Sequence, residues 1–328
     1  MTWRIYRWGL ALAVALPVGW VAVDSSGAAA GRSYTAGNFG LQLDGAFAGF
    51  VRSQSGGTAV ADVLEDAVGG GAPSKKRLGP VHYEDIEIEV GLAMSAPVVD
   101  WIAASWQGRA PRKSGTLVTY DYKFDAQQQT DFSGALLTET TIPACDAASK
   151  DAGYIALTIA PERTQPGKAA AGKPSSPVKG EQKLWIPSNF KLELDGLDTS
   201  RVSRVDAFTV KQKASRDSIG SERAASKEPT KLEFPNLKVT IALTDSDAWS
   251  KWHQDMVVAG GGEKQEKNGR LVFLAPNRQQ ELLEIKLHGV GIFALRSSKE
   301  TASAEGVPRL VAELYCERME FVAKGAPQ

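Results

Sequence analysis

Glu87 and Glu89 stand two residues apart in Ile86-Glu87-Ile88-Glu89-Val90. A strand would therefore set both carboxylates on one face, the arrangement paired acid/base chemistry requires. An internal repeat aligns them with Lys238 and Thr240, so a shared acid/base role is lost within the chain itself. A solvated strand face accounts for the pair, because exposed strand faces normally carry charge. The histidines His82, His253 and His288 are scattered, without ligand-spaced neighbours. His253 follows Trp252, where the other copy has Ile102. Two cysteines, Cys145 and Cys316, are too few for a disulfide framework or a structural zinc site. They occupy non-equivalent places in the two copies, and an oxidising compartment would allow them to pair. The expectation is two unpaired thiols or an intermolecular bridge. Gly69-Gly70-Gly71 and Gly260-Gly261-Gly262 lack the Lys-Ser and strand-to-helix context of a phosphate loop. No nucleophile elbow and no pair of histidines on one helix is present. The sequence thus assigns no catalytic, cofactor-binding or metal-binding residue, and the chain is expected not to be an enzyme.

The whole chain has 328 residues, 43% of them hydrophobic and 23% charged, enough for two domains of common size. Its 38 basic and 38 acidic side chains cancel. That balance argues against nucleic-acid binding. The cluster Lys75-Lys76-Arg77 reads as solvated loop. Residues 1–30 differ from the rest, with Arg4 and Arg7 ahead of an uncharged apolar run from Trp8 to Val23 and then small residues ending at Ala28-Ala29-Ala30. This is the order of a secretory signal peptide. An uncut membrane anchor and a true start further downstream are the alternatives.

After the leader the chain repeats itself. Asn38-Phe39-Gly40-Leu41-Gln42-Leu43-Asp44-Gly45 returns as Asn189-Phe190-Lys191-Leu192-Glu193-Leu194-Asp195-Gly196, an offset of 189 − 38 = 151. The same offset carries Tyr83, Ile86, Ile88 and Val90 onto Phe234, Leu237, Val239 and Ile241, Ser95 onto Ser246, and Trp101 onto Trp252. Ser114-Gly115-Thr116-Leu117-Val118 then matches Asn268-Gly269-Arg270-Leu271-Val272 at an offset of 154. A period this long describes two whole domains and not a solenoid of small units. The expected domains are residues 33–162 and 184–326, joined by a Pro/Gly/Ala/Ser linker over 163–183.

Each copy reads as mostly strand. Leu41-Gln42-Leu43-Asp44-Gly45 alternates and ends in a turn, and Ile86, Ile88 and Val90 mark one buried strand face. Ser95 and Ser246 are placed to cap a helix that buries Val98, Trp101, Ile102 and Ser105 in one copy and Trp249, Trp252 and Met256 in the other. Trp101 and Trp252 read as core and not as a stacking platform. Further strands are expected at 116–122, 135–142, 270–274, 281–288, 290–295 and 309–315. The fold class is mainly β: two tandem small β-barrel or sandwich domains, each with one flanking helix.

The stretches Phe39 to Gly45, Ile86 to Val90, Val98 to Trp106 and Gly115 to Val118, with their copies at Phe190 to Gly196, Leu237 to Ile241, Trp249 to Met256 and Gly269 to Val272, resemble the tail-tube family of contractile phages and related contractile injection systems. The resemblance implies a small β-barrel-like domain with a flanking helix, built into six-fold rings that stack as a hollow tube. It implies that residues 52–78 and 203–231 are extended structure reaching neighbouring subunits, and it brings no catalytic residues. Tube subunits usually have one domain and no export signal, which this chain departs from. The chain is accordingly expected to be a non-enzymatic structural protein that self-associates, with three chains making a six-domain ring. Other tail or envelope proteins are possible partners, nucleic acid is not expected, and a membrane is met only through the N-terminal segment. The alternative is an exported two-domain binding module of adhesin type. The protein is expected to be periplasmic or secreted if the leader acts, and to assemble in the cytoplasm if the start lies downstream.

Overall fold

Alternating apolar residues decide which segments become strands, and two tryptophan-bearing helices pack against them. The computed structural model describes residues 39–66, 74–92, 94–121, 123–169, 185–217, 226–297 and 308–324. The expected leader, the triple glycine at 69–71 and most of the expected linker lie outside them. The first half runs β1 (Phe39–Leu43), β2 (Ala46–Val51), β3 (Ser53–Gly56), β4 (Ala59–Asp66), β5 (Lys75–Tyr83), β6 (Ile86–Val90), α1 (Ala96–Trp106), β7 (Lys113–Tyr120), β8 (Ala126–Ile142), β9 (Cys145–Asp146), β10 (Ile155–Ala160) and β11 (Arg163–Lys168). The second half runs β12 (Phe190–Leu194), β13 (Val202–Val205), β14 (Phe208–Asp217), β15 (Ser226–Glu233), β16 (Leu237–Ala242), α2 (Asp247–His253), β17 (Lys267–Leu274), β18 (Glu281–Ser297) and β19 (Arg309–Ala323). The architecture is mainly β, as the sequence pattern requires.

One sheet has the order β2-β1-β7-β8-β10-β6-β3, with β11 also on β8; the other has the order β12-β17-β18-β19-β16-β13-β9. All the pairings are antiparallel, and the two halves repeat their registers. On β10 and β8, Ile159 faces Leu137; on β19 and β18, Leu314 faces Ile292, each partner 155 residues further on. The pair Arg163 and Ser133 likewise returns as Arg318 and His288. Both long strands bend at a glycine, Gly134 (φ +60) and Gly289 (φ +59). A residue with a Cβ is strained there, and each glycine faces a glutamate, Glu162 or Glu317.

Alternation holds on both copies of the central strand: Ile86, Ile88 and Val90 are buried, as are Leu237, Val239 and Ile241. Helix α1 buries Val98, Trp101, Ile102, Ser105 and Trp106. Helix α2 buries Trp249 and Trp252, and the π-helical turn that continues it buries Met256. The indole N–H of Trp101 donates to the Pro111 carbonyl at 2.9 Å, and that of Trp252 to the Gln265 carbonyl at 2.8 Å. Both rings are core residues with satisfied polar ends, which leaves no open face for ligand stacking.

Four local expectations are corrected. Neither Ser95 nor Ser246 caps its helix with its hydroxyl. The Ser246 hydroxyl instead donates to the Leu243 carbonyl of the preceding 3-10 turn, and the Ser95 backbone carbonyl receives the first helical amides. Residues 163–168 form a strand because β8 offers them a ladder, from Arg163 opposite Ser133 to Lys168 opposite Gln128. Pro166 is tolerated because β11 is an edge strand, where a missing N–H costs no ladder bond. Residues 281–295 hold one strand and not two, since Gly289 bends the ladder without ending it. The described residues at 52–78 and 203–231 are extended, as the resemblance implies, and lie largely in the hairpins β4 with β5 and β14 with β15. Lys75-Lys76-Arg77 accordingly lies on a strand and not in a loop.

Trp101→Ala and Trp252→Ala are each expected to cost about 3–5 kcal/mol, the usual penalty for emptying a buried aromatic site. Chemical denaturation of the single variants checks this; a change within about 0.5 kcal/mol, as for a surface residue, would contradict the core assignment.

Candidate functional site

The residues with chemical potential do not converge. Glu89 accepts hydrogen bonds from Arg52 (3.1 Å) and Ser53 (3.0 Å), while Glu87 stays exposed on the same strand. His82 lies 4.0 Å from Asp62 on the β4–β5 hairpin, and His288 lies 3.3 Å from Glu320 on the β18–β19 pair. His253 ends α2. Among the described residues no three His, Cys, Asp or Glu side chains are grouped so as to hold a metal. Cys145 and Cys316 are unpaired and buried, and burial pushes both thiols up, that of Cys316 to about 11. Both are therefore protonated and poor nucleophiles at neutral pH.

The charged and aromatic side chains that do converge lie where the halves meet. Strand β14 leaves its own half and pairs with the C-terminal part of β8, with Phe208 opposite Ile142, Thr209 opposite Thr141, Val210 opposite Thr140 and Lys211 opposite Glu139. In return β9 extends the second sheet, pairing Cys145 with Val205 and Asp146 with Arg204. Side chains lock both crossings. Lys211 meets Glu139 at 2.8 Å, and the hydroxyls of Thr141 and Thr209 are 2.9 Å apart. Arg112, just ahead of β7, meets Glu228 on β15 at 2.8 Å and Glu162 at 3.4 Å. Lys227 is buried, with 8% of its side chain exposed, and its ammonium meets Asp85 at 2.8 Å. Burying an ammonium is costly unless it is paired, so this contact holds the hairpin at a defined depth. The Trp106 ring packs edge-on against Phe234 and Phe321, with centroids 6.4 and 5.4 Å away.

Among the described residues the equivalent elements, the β4–β5 hairpin and the second half of β18, are not paired in this way. The β4–β5 hairpin has the register of β14–β15: Val60 faces His82 as Lys211 faces Glu233, and after a bulge Val63 faces Leu78 as Ala214 faces Pro229. Its Val63 and Leu78 side chains are 60% and 73% exposed. Residues 291–297 of β18 pair with β19 on one side, and no described strand covers the other. Phe293, Val257 and Val258 are exposed on β18 and on the turn after α2. Glu266 accepts a hydrogen bond from Tyr315, whose phenol is raised by burial and by the neighbouring Glu266, Glu317 and Glu263. Sequence reasoning assigned no site residue and missed this junction. The readable signal was a difference between the copies, since the offset that preserves the core changes the charges at Arg112, Lys211 and Glu228.

No family model and no curated protein matches the chain. Among solved structures it is similar to a chain of the anti-feeding prophage baseplate, at 10% identity over 42% of this chain and 93% of that one, with a TM-score of 0.36. It is also similar to a chain of the PVC sheath–tube complex of an extracellular contractile injection system in the extended state, at 19% identity over 43% and 95%, with a TM-score of 0.36. A chain of the anti-feeding prophage tube-terminating cap matches at 18% identity over 48% and 96%, with a TM-score of 0.34. Likeness at this level leaves the function to rest on the chain's own residues.

The junction has a pH dependence of definite sign. The Asp146 carboxyl is held below the usual carboxylate range by the Ala148 N–H and then by Arg204, against partial burial. A lowered folded value means its contribution is present above the unfolded pKa of about 3.9 and is lost as pH falls through the folded one. Thermal stability is therefore expected to fall below about pH 4, and Asp146→Asn to flatten that acid limb. An acid limb of unchanged slope in the variant would show that Asp146 does not set it.

Proposed function

We propose that this chain is a structural, non-enzymatic subunit of tail-tube type that assembles with copies of itself into rings. The observation that carries the reading is the crossing of β14 onto β8, a contact of the kind that joins subunits, made here between two halves of one register. A strand edge is a standing template for pairing, and a protein that leaves one open either covers it or uses it. The residue pattern shared with tail-tube proteins supports the same reading, as does the scatter of the titratable groups. Each chain would supply two barrel-like units, so that three chains make a ring of six.

Light scattering of the full chain over a concentration series, with negative-stain images of the same samples, tests the proposal. Rings, stacked rings or a mass near three chains are expected. A monomer at every concentration would overturn self-assembly and favour a two-domain binding module.

A further inference from the structure

The contact between the halves specifies the contact between chains. Resting on the self-assembly reading, we infer that the β4–β5 hairpin of one chain adds to the open edge of β18 in the next, in the register that β14 already takes on β8. Offsets of 151 residues for the hairpins and 155 for the receiving strands place Thr58 opposite Arg296, Ala59 opposite Leu295 and Val60 opposite Ala294. The occupant is a second copy because the hairpin that fits this edge exists in this chain and, among the described residues, joins no other sheet. Two of the receiving residues are also more open than their counterparts: Leu295 is half-buried and Ser297 exposed, whereas Thr140 and Ile142 are buried under β14.

Complementarity is kept at the surrounding pairs while the chemistry changes, and the Lys227–Asp85 pair becomes Lys76 and Asn236, an ammonium facing a side-chain amide. At the internal junction Arg112 on the receiving side meets Glu228 on the hairpin. Their counterparts are Glu266 and Arg77, the same pair with its signs exchanged. The internal pair Glu139 and Lys211 becomes Ala294 and Val60, so a charge pair is replaced by an apolar one on both sides together. Trp106, which Phe234 covers, becomes Val257, 45% exposed and awaiting Tyr83. Two unrelated surfaces would have no reason to change in step. Within the hairpin Lys76 meets Glu65 and Arg77 meets Asp66, each at 2.9 Å, and the joint would add Glu266 and Glu317 to their surroundings. The interface is heterologous, head to tail, and such contacts close into rings or continue as filaments according to the rotation per step.

The test uses charge reversal in the full chain. Arg77→Glu and Glu266→Arg are each expected to weaken assembly by at least about tenfold in the concentration required, and the double variant to restore it. Restoration cannot come from singles that fail to fold, and far-UV circular dichroism of each variant checks the point. In an otherwise unchanged chain, Val60→Cys with Ala294→Cys should give a ladder of covalent multimers on oxidation, resolved on non-reducing gels. Rings that form equally well in both single variants, with no ladder between chains, would overturn this interface and leave self-assembly standing. A full chain that never assembles would overturn both.

Discussion

The backbone of β8 imposes the constraint on which the molecule depends. Seventeen residues of one strand carry amides and carbonyls on both sides, and inside a protein each must find a partner. Strands β7 and β11 satisfy the first part, and β10 satisfies one side of the second. Among the described residues the remaining side is filled by β14, which the chain delivers after more than sixty further residues. Once that strand is committed, β15, Lys227 and Phe234 follow it onto the first half, and β9 is placed to extend the second. The two halves are thus one folding problem at their junction, although each has its own Trp helix.

Charge at the junction fixes position more than it adds stability. Most of its ion pairs are half-exposed, where a pair contributes on the order of 0–1 kcal/mol. Lys227 is different, because its ammonium is enclosed and has Asp85 in reach. Such a group admits few alternative seatings of the hairpin, whereas the aromatic contact of Trp106 with Phe234 and Phe321 would tolerate small slips. Register therefore comes from polar groups and cohesion from apolar ones.

The parts governed by periodicity were legible in the sequence. Ile86-Glu87-Ile88-Glu89-Val90, the paired tryptophan helices and the turn after Leu43 follow from side-chain alternation and spacing alone. What escaped was decided by distant partners. Nothing in Ala126-Gln127-Gln128-Gln129-Thr130 announces a strand, and these residues extend β8 because β7 and β11 bond them from both sides. The composition of residues 163–168 suggests a linker until that ladder is available. The serine hydroxyls failed as caps because nearby carbonyls and burial competed for them. The junction itself was invisible to a search for catalytic types, since its residues are ordinary Arg, Glu and Lys, informative only when one copy is set against the other.

The Arg112–Glu228 pair also determines what the chain refuses. Two similar hairpins and two similar edges in one molecule invite exchange, in which a neighbour's β4–β5 displaces β14–β15 from β8. That exchange would bring Arg77 against Arg112. The converse error, β14–β15 of one chain on the β18 edge of another, would bring Glu228 against Glu266. Both mistakes set like charges together, whereas the internal pairing and the inferred one between chains set opposite ones together. Under the proposed joint between chains, repulsion would keep the two kinds of pairing apart, which is the exclusion side of specificity.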